Sequence, residues 1–344
     1  MSFLPYLNIS HYFIKFGGVV TLTTNSILIY LTVNKIKTIK ATYKGLIVLM
    51  AILGILFSLL EMVLNPFMHS YNQGFIYCSG SEATGISLSI KLAILCSLAI
   101  CYMIIICCLA IQFIYRYVLL LSPTLLIWFH GWRLFSLLLY GLICTITWNI
   151  ALFLLLPDDY SKKYWRKQME VNYKLDATYI AQYHFVAYDE HGAMRLRNFL
   201  GLCQLTTVLL FQYIIILYLG IKTHYGIKAI ATGSERTHRM HSQLFKTLVL
   251  QITIPSIIYN SPMFLLYIIP YLGLQISFPS GVMLCFFSLY PAADSLILMW
   301  MVTEYRNIFK KMFVDIAKKV LMKWSNAGAQ EETTGTEMEM KERV

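Results

Sequence analysis

Glu61 and Lys91 stand near the same end of two long apolar runs, where an ionisable side chain is expensive and marks a working position. Glu61 lies roughly 25 Å along its run if that run is helical, and Lys91 opens the next one. The two are placed to pair, each relieving the other's desolvation. Equally, Lys91 can snorkel to the headgroups while Glu61 faces loop water. Asn149, Gln204 and Asn260 fall in the same layer. Together these five would supply the few polar groups of an otherwise apolar cavity, the usual make-up of a site for a small ligand.

A second polar layer lies at the other end. Asn25 comes late in its run, Gln251 early, Asp294 in the corresponding half of the last run, and Arg116, followed by Tyr117, closes the third. Hydrogen bonds between such groups can be structural glue, or can hold one of two helix arrangements as a switch requires. Pro255 and Pro262 fall inside the sixth run, where each removes a backbone donor and bends the helix.

The elements that must position these residues are seven apolar stretches, Phe16–Val33, Gly45–Asn65, Leu92–Ile114, Leu134–Leu156, Phe199–Ile221, Phe245–Ile269 and Gly281–Val302. About 20 helical residues cross a hydrocarbon core of about 30 Å, and backbone groups in lipid need internal partners. The expectation is an all-α membrane protein, a seven-helix transmembrane bundle. Hydrophobic residues make up 58% of the chain and charged residues 13%, against about 25% charged in soluble domains. Mean hydropathy is +0.62. Residues 1–324 read as one bundle with a juxtamembrane helix, and 325–344 as a disordered polar tail. In the juxtamembrane segment Phe309, Met312, Phe313, Ile316 and Val320 repeat at helical spacing between lysines, suited to an anionic leaflet. Lys15 comes too late for a signal peptide's basic region, so the first stretch reads as a retained anchor.

A net charge of +11 does not point to nucleic acid, because its distribution follows membrane topology. With the N-terminus outside, nineteen Lys and Arg fall in inner loops and tail and eight in outer segments. N-out, C-in follows, for a multi-pass plasma-membrane protein with lipid as a partner. Asn8-Ile9-Ser10, a glycosylation sequon with Asn8 as acceptor, falls on the outer side. Of eight cysteines, only Cys78 lies in an outer loop, and the long loop Pro157–Asn198 offers it no partner. No zinc spacing and no cofactor motif is present.

Five boxes in order resemble the nematode seven-transmembrane chemoreceptors of the Str superfamily, which includes the Str and Srj families. These are Tyr43-Lys44-Gly45-Leu46, Pro66 with His69-Ser70, and Phe113-Ile114-Tyr115-Arg116-Tyr117. The others are Ser234, Thr237 and Gln243-Leu244-Phe245-Lys246 with Gln251 and Pro255, then Tyr290-Pro291-Ala292-Ala293-Asp294 with Tyr305-Arg306. The resemblance implies a G-protein-coupled receptor of chemosensory cilia that binds a small environmental molecule and activates a heterotrimeric G protein. It also implies inner switch positions for Arg116 and Asp294. Two departures stand out: Ser295 occupies a position where the family usually has proline, and a second outer-loop cysteine is missing, which leaves outer-loop rigidity unexplained.

Other classes fit less well. A ligand-gated channel or small-molecule transporter is the alternative, yet no half-repeats correspond and the ionisable groups avoid the midplane. The seventh run lacks a lysine for a retinal Schiff base. An enzyme is not expected, since neither paired aspartates on facing spans nor a His-Glu-x-x-His motif occurs.

Overall fold

The computed structural model describes residues 3–80, 85–176, 179–229, 235–274 and 276–312, with 314, 318 and 322. Seven helical segments are long and apolar enough to cross a bilayer: Leu4–Lys35, Ala41–Leu64, Leu88–Leu121, Gly131–Phe153, Leu196–Ile227, His238–Leu272 and Leu284–Met301. Within them lie helices α1 (Leu4–Tyr30), α2 (Ala41–Leu64), α3 (Leu88–Leu121) and α4 (Leu134–Phe153). After α5 (Asp159–Tyr173), outside the spans, come α6 (Leu196–Ala229), α7 (Glu235–Pro255), α8 (Ser261–Ile268) and α9 (Gly281–Met301). Their outward faces carry exposed Ile52, Leu56, Leu59 and Val63 on α2 and Leu138, Leu142 and Ile146 on α4. That apolar belt is what a lipid-facing surface requires.

Helix α3 is the central post, with Leu95, Met103, Leu109 and Ala110 fully buried among its neighbours. Helices α1 and α9 approach closely because Gly17 has no side chain. A Cβ there would stand 2.9 Å from the carbonyl oxygen of Ser288, and small residues at such crossings are the usual membrane solution. Span six is broken as its prolines require. Helix α7 ends at Pro255, a π-helical turn occupies Ser256–Asn260, and α8 restarts with Pro262 in its first turn. Beyond α9, residues 303–312 are helical, with Tyr305 fully buried. Phe313, Ile316 and Val320 of the expected amphipathic helix, and the tail 325–344, lie outside the described residues.

Span one starts at Leu4 rather than Phe16. Its first turns bury Leu7, Ser10 and Ile14 while Lys15 points outward, so the helix runs on into a structured cap. Asn8 is consequently a helical residue, exposed, with Ser10 buried.

That cap is what the sequence reading did not anticipate. Asn65, in a left-handed conformation, ends α2, and the chain turns into β1 (Pro66–Tyr71) and β2 (Gly74–Ser79). Asn72, at φ +46°, opens the two-residue turn between them. β3 (Gln182–Val186) pairs antiparallel with β2, and the short β4 (Ser277–Phe278) with β1, giving the order β3-β2-β1-β4. The sheet thus joins all three interhelical loops at the end that the loop charges assign to the outside.

Helix α5 lies on this sheet. It begins with a capping box: the Ser161 N–H donates to Asp158 Oδ1 at 2.8 Å, and the Asp158 N–H donates to Ser161 Oγ at 3.0 Å. Trp165, Met169 and Tyr173, four residues apart, are wholly buried against Phe67, Ile76, Cys78 and Val186. Gly74 makes room for the tryptophan, since a Cβ there would sit 2.5 Å from the Phe185 carbonyl and 3.0 Å from the indole. Arg195 closes the cap with an ion pair to Asp158. Cys78 is fully buried and its thiol is pushed up to about 12 by that burial. It is a packing residue, inaccessible to another chain, and the cap is held by sheet and aromatic core instead of a disulfide.

Two histidines are locked inside. His184 Nδ1 bonds with Ser161 Oγ at 3.0 Å and His69 Nδ1 with the Tyr173 hydroxyl at 2.9 Å. Burial holds His184 down to about 3, the Asp158 carboxylate opposing and Arg195 and Lys162 adding to the drop. Burial likewise holds His69 down to about 4, against a hydrogen bond from the imidazole to the Phe278 backbone that raises it. Both imidazoles are neutral when folded but take a proton near pH 6.5 when the cap opens.

The cap is therefore fully stable above about pH 6.5 and loses about 1.4 kcal/mol per histidine per pH unit as pH falls toward 4. Hydrogen exchange at β1–β3 amides should accelerate between pH 6.5 and 4.5, after correction for intrinsic rates. His184→Asn should flatten that acceleration. Trp165→Ala should destabilise the same amides by about 3–5 kcal/mol, and dithiothreitol should leave the protein's melting unchanged.

Candidate functional site

Below the sheet, spans two to seven enclose a cavity of about 600 Å3. Met68, Phe75 and Tyr77 of the hairpin and Tyr183 of β3 form its roof. Leu98, Trp148, Leu205 and Leu284 give it apolar walls. Leu210 of α6 and Phe264 and Leu265 of α8 also line it and are more than half exposed on the bundle's flank. The cavity is thus roofed by the cap and opens sideways on the apolar flank of the bundle, between α6 and α8.

Its polar groups are few and joined. The Tyr102 hydroxyl on α3 donates to Asn260 Oδ1 at 3.0 Å, and Asn260 Nδ2 donates to the Tyr213 hydroxyl on α6 at 2.6 Å. The Ser256 hydroxyl lies 3.0 Å from that same oxygen. Ser256 and Asn260, the two ends of the π-helical turn, both bond Tyr213, so the break in span six is built into the cavity lining. Glu61 lies apart from this chain. It is buried, beside Ser288, Tyr77 and Cys285, and Oε2 has no hydrogen-bond partner among the described residues.

Of the five residues expected in the outer layer, only Glu61 and Asn260 line the cavity. Lys91 does not pair with Glu61: its Nζ donates to the Tyr179 carbonyl at 3.2 Å, drawn to the cap by the chain that leads into β3. Asn149 Nδ2 donates to the Thr145 carbonyl one turn back at 2.9 Å. Gln204 Nε2 donates to the Thr147 carbonyl at 2.9 Å, tying α6 to α4. These two spend their hydrogen bonds on backbone instead of the cavity, and Gln204 alone of the two joins neighbouring helices. Tyr102, Tyr213, Ser256, Tyr77 and Tyr267 were not singled out from sequence; Tyr102 and Tyr213, hydroxyl-bearing aromatics inside apolar runs, carried the available signal.

The inner layer assembles more completely. Asn25 Nδ2 donates to the Thr21 and Pro291 carbonyls at 3.0 and 3.2 Å, and Ser295 Oγ donates to Asn25 Oδ1 at 2.6 Å. Ser295, standing where proline is usual in the resembled family, therefore ties span seven to span one. Gln251 Nε2 donates to the Asp294 backbone carbonyl at 3.3 Å, joining α7 to α9, while Asp294 Oδ1 is buried without a partner among the described residues.

Arg116, only 2% exposed, lies with its guanidinium carbon 3.9 Å from the centre of the Tyr43 ring. Its Nη1 is 3.4 Å from His241 Nδ1 on α7. Tyr115 stacks on Tyr43 at 5.4 Å, so adjacent residues of α3 grip the same tyrosine. Nε and Nη2 of Arg116 have no partner among the described residues. Tyr117 is half-buried. At the foot of span six, Gln243 Nε2 donates to Thr303 Oγ1 at 2.7 Å and Gln243 Oε1 accepts from the Thr303 N–H at 3.2 Å.

These geometries have relatives. The family model described as "Serpentine type 7TM GPCR chemoreceptor Str" matches residues 10–310. The G-protein coupled receptor str-33 of Caenorhabditis elegans is 33% identical over 332 residues, 94% of each chain. The serpentine receptor class r-10 of Caenorhabditis briggsae is 29% identical over 311 residues, covering 86% of this chain and 88% of its own. Its Caenorhabditis elegans counterpart is 28% identical over 306 residues, 85% and 87% of the two chains. All seven spans fall wholly or largely within the matched region, and the chain belongs to the Str family of serpentine seven-transmembrane chemoreceptors, as a multi-pass membrane protein.

Proposed function

We propose that this chain is a G-protein-coupled chemosensory receptor that takes a small environmental molecule into the outer cavity and activates a heterotrimeric G protein from its inner end. The N-terminus and the cap face outward, the C-terminus faces the cytoplasm, and the setting is the plasma membrane of sensory-neuron cilia. The observation that carries this reading is the course of span six. Its π-helical turn supplies Asn260 and Ser256 to the cavity, and its inner half supplies His241 to Arg116. Nineteen residues, about 28 Å of helix, separate the two contacts.

A ligand that binds one arrangement of the Tyr102–Asn260–Tyr213 chain more tightly shifts the population toward it. Pro255 and the π-helical turn let the inner half of span six move without unfolding the outer half. Displacing His241 frees one side of Arg116, while Tyr43 and Tyr115 hold the other. The partly unsatisfied guanidinium then has donors to offer a carbonyl or carboxylate of an incoming protein. The basic inner loops steer that partner. A rise of about 1.4 kcal/mol in the relative weight of the open arrangement is a tenfold change in its population.

In membranes reconstituted with G protein, Arg116→Ala and Asp294→Ala should reduce ligand-stimulated nucleotide exchange at least about tenfold, with ligand affinity changed much less at equal surface expression. Normal exchange in both would remove the proposed mechanism. Tyr43→Leu removes a desolvated cation–π contact worth up to about 2 kcal/mol. It should raise ligand-free exchange several-fold; unchanged or lower basal exchange would show that Tyr43 does not restrain Arg116.

A further inference from the structure

Glu61 is the feature that the receptor reading leaves unused. Among the described residues lining the cavity it is the one carboxylic acid, and no lysine, arginine or histidine lines the cavity with it. The side chain is 4% exposed and Oε2 accepts no hydrogen bond among the described residues. Ser288 is the neighbouring hydroxyl donor to this carboxyl group, and a buried carboxyl group short of donors is costly, more so in hydrocarbon than beside water. Lys91, the nearest candidate counter-charge in the sequence, bonds to the Tyr179 carbonyl. The Ser288 hydroxyl supplies no counter-charge, whereas a ligand that brings its own positive charge would.

The surroundings fit such a ligand. Tyr77 lies beside both Glu61 and Tyr267, and the Phe75 ring stacks on Tyr267 at 5.5 Å. All of these line the cavity. An acid flanked by aromatic rings is a cation site: the ring quadrupoles add to the attraction of the carboxylate once water is excluded. The remaining wall is apolar, and the opening between α6 and α8 faces the bilayer. An amine with an apolar body can reach that opening from the lipid in its neutral form and take up its proton at Glu61.

We infer that the outer cavity binds lipophilic primary amines, with the ammonium group donating to Glu61 Oε2 under Tyr77 and Tyr267 and the apolar body lying toward Tyr102 and Trp148. This rests on the reading of the cavity as the receptor's ligand site, and names the class of ligand it takes.

The test uses the detergent-solubilised full chain and a set of primary amines of roughly four to ten carbons, straight, branched and aromatic, a size range suited to such a cavity. Each amine, such as 2-phenylethylamine, is paired with the alcohol of the same skeleton. Ligand-induced stabilisation against heating reports binding. The expected result is that one or more amines stabilise the protein with an affinity about 10- to 100-fold above that of the matched alcohol, the range for a charge-assisted hydrogen bond to a buried group. In Glu61→Gln, isosteric but uncharged, that preference should fall to near parity.

Three results would overturn the inference: no amine stabilises the wild type, the alcohols match the amines, or the preference survives in Glu61→Gln. The first two need no variant and stand even if Glu61→Gln misfolds. Nucleotide exchange on added G protein separates this claim from the receptor reading. Glu61-dependent amine binding without exchange upholds the amine site and removes the receptor role. Exchange driven by the neutral alcohols, independent of Glu61, upholds the receptor and removes the amine site.

Discussion

A polar side chain placed in hydrocarbon must find a partner, and that requirement organises this bundle. Asn25 satisfies itself on two carbonyls and Ser295, Gln204 on the Thr147 carbonyl, and Asn260 on Tyr102 and Tyr213. Each such bond contributes only about 0.6–2 kcal/mol, so their value lies in fixing which helices meet at which register. Against that background the unsatisfied ionisable groups of the spans stand out. Among the described residues Glu61 Oε2 lies at the capped cavity, and Arg116 Nε and Nη2 with Asp294 Oδ1 lie at the opposite end. The two ends of the molecule hold the groups to which a further partner has most to offer.

Between those ends the chain solves a second problem without covalent help. The cavity has a roof, and no disulfide joins the described cysteines to hold it. The four-stranded sheet ties the three loops together, and α5 packs Trp165, Met169 and Tyr173 onto it over Gly74. Because the first helix continues to Leu4 and buries Leu7 in the same core, the cap and the bundle share one continuous element. The roof residues Phe75, Tyr77 and Tyr183 therefore sit in strands backed by this shared core. The small aqueous access this leaves is consistent with a lateral route for an apolar ligand.

Much of this was legible in the sequence, and the reasons for the rest are physical. Seven spans, the break at Pro255 and the two polar layers follow from hydropathy and from residue types that lipid forbids. Whether Glu61 pairs with Lys91 was open in the sequence, because depth along a helix does not say which face a side chain takes; Lys91 turns to the Tyr179 carbonyl. Asn149 and Gln204 sit at the right depth but bond to carbonyls of α4. The hairpin carried no alternating pattern, since both its faces are buried, β1 against the cap core on one side and the cavity on the other. Helix α5 did carry a signal: Asp158 as an N-cap, then Trp165, Met169 and Tyr173 every four residues. Tyr43 was visible as part of a box, but its place under Arg116 needed the meeting of spans two and three.

The cavity, the kinked span and the gripped arginine form one line only if the capped end faces outside and the Arg116 end faces the cytoplasm. The most direct measurement is antibody access to epitope tags on the two termini, first in intact and then in permeabilised cells. An N-terminal tag stained on intact cells, with a C-terminal tag stained only after permeabilisation, is the predicted result. A C-terminal tag exposed on intact cells, with or without the N-terminal one, would contradict the account, because the Arg116 end would then have no G protein to meet.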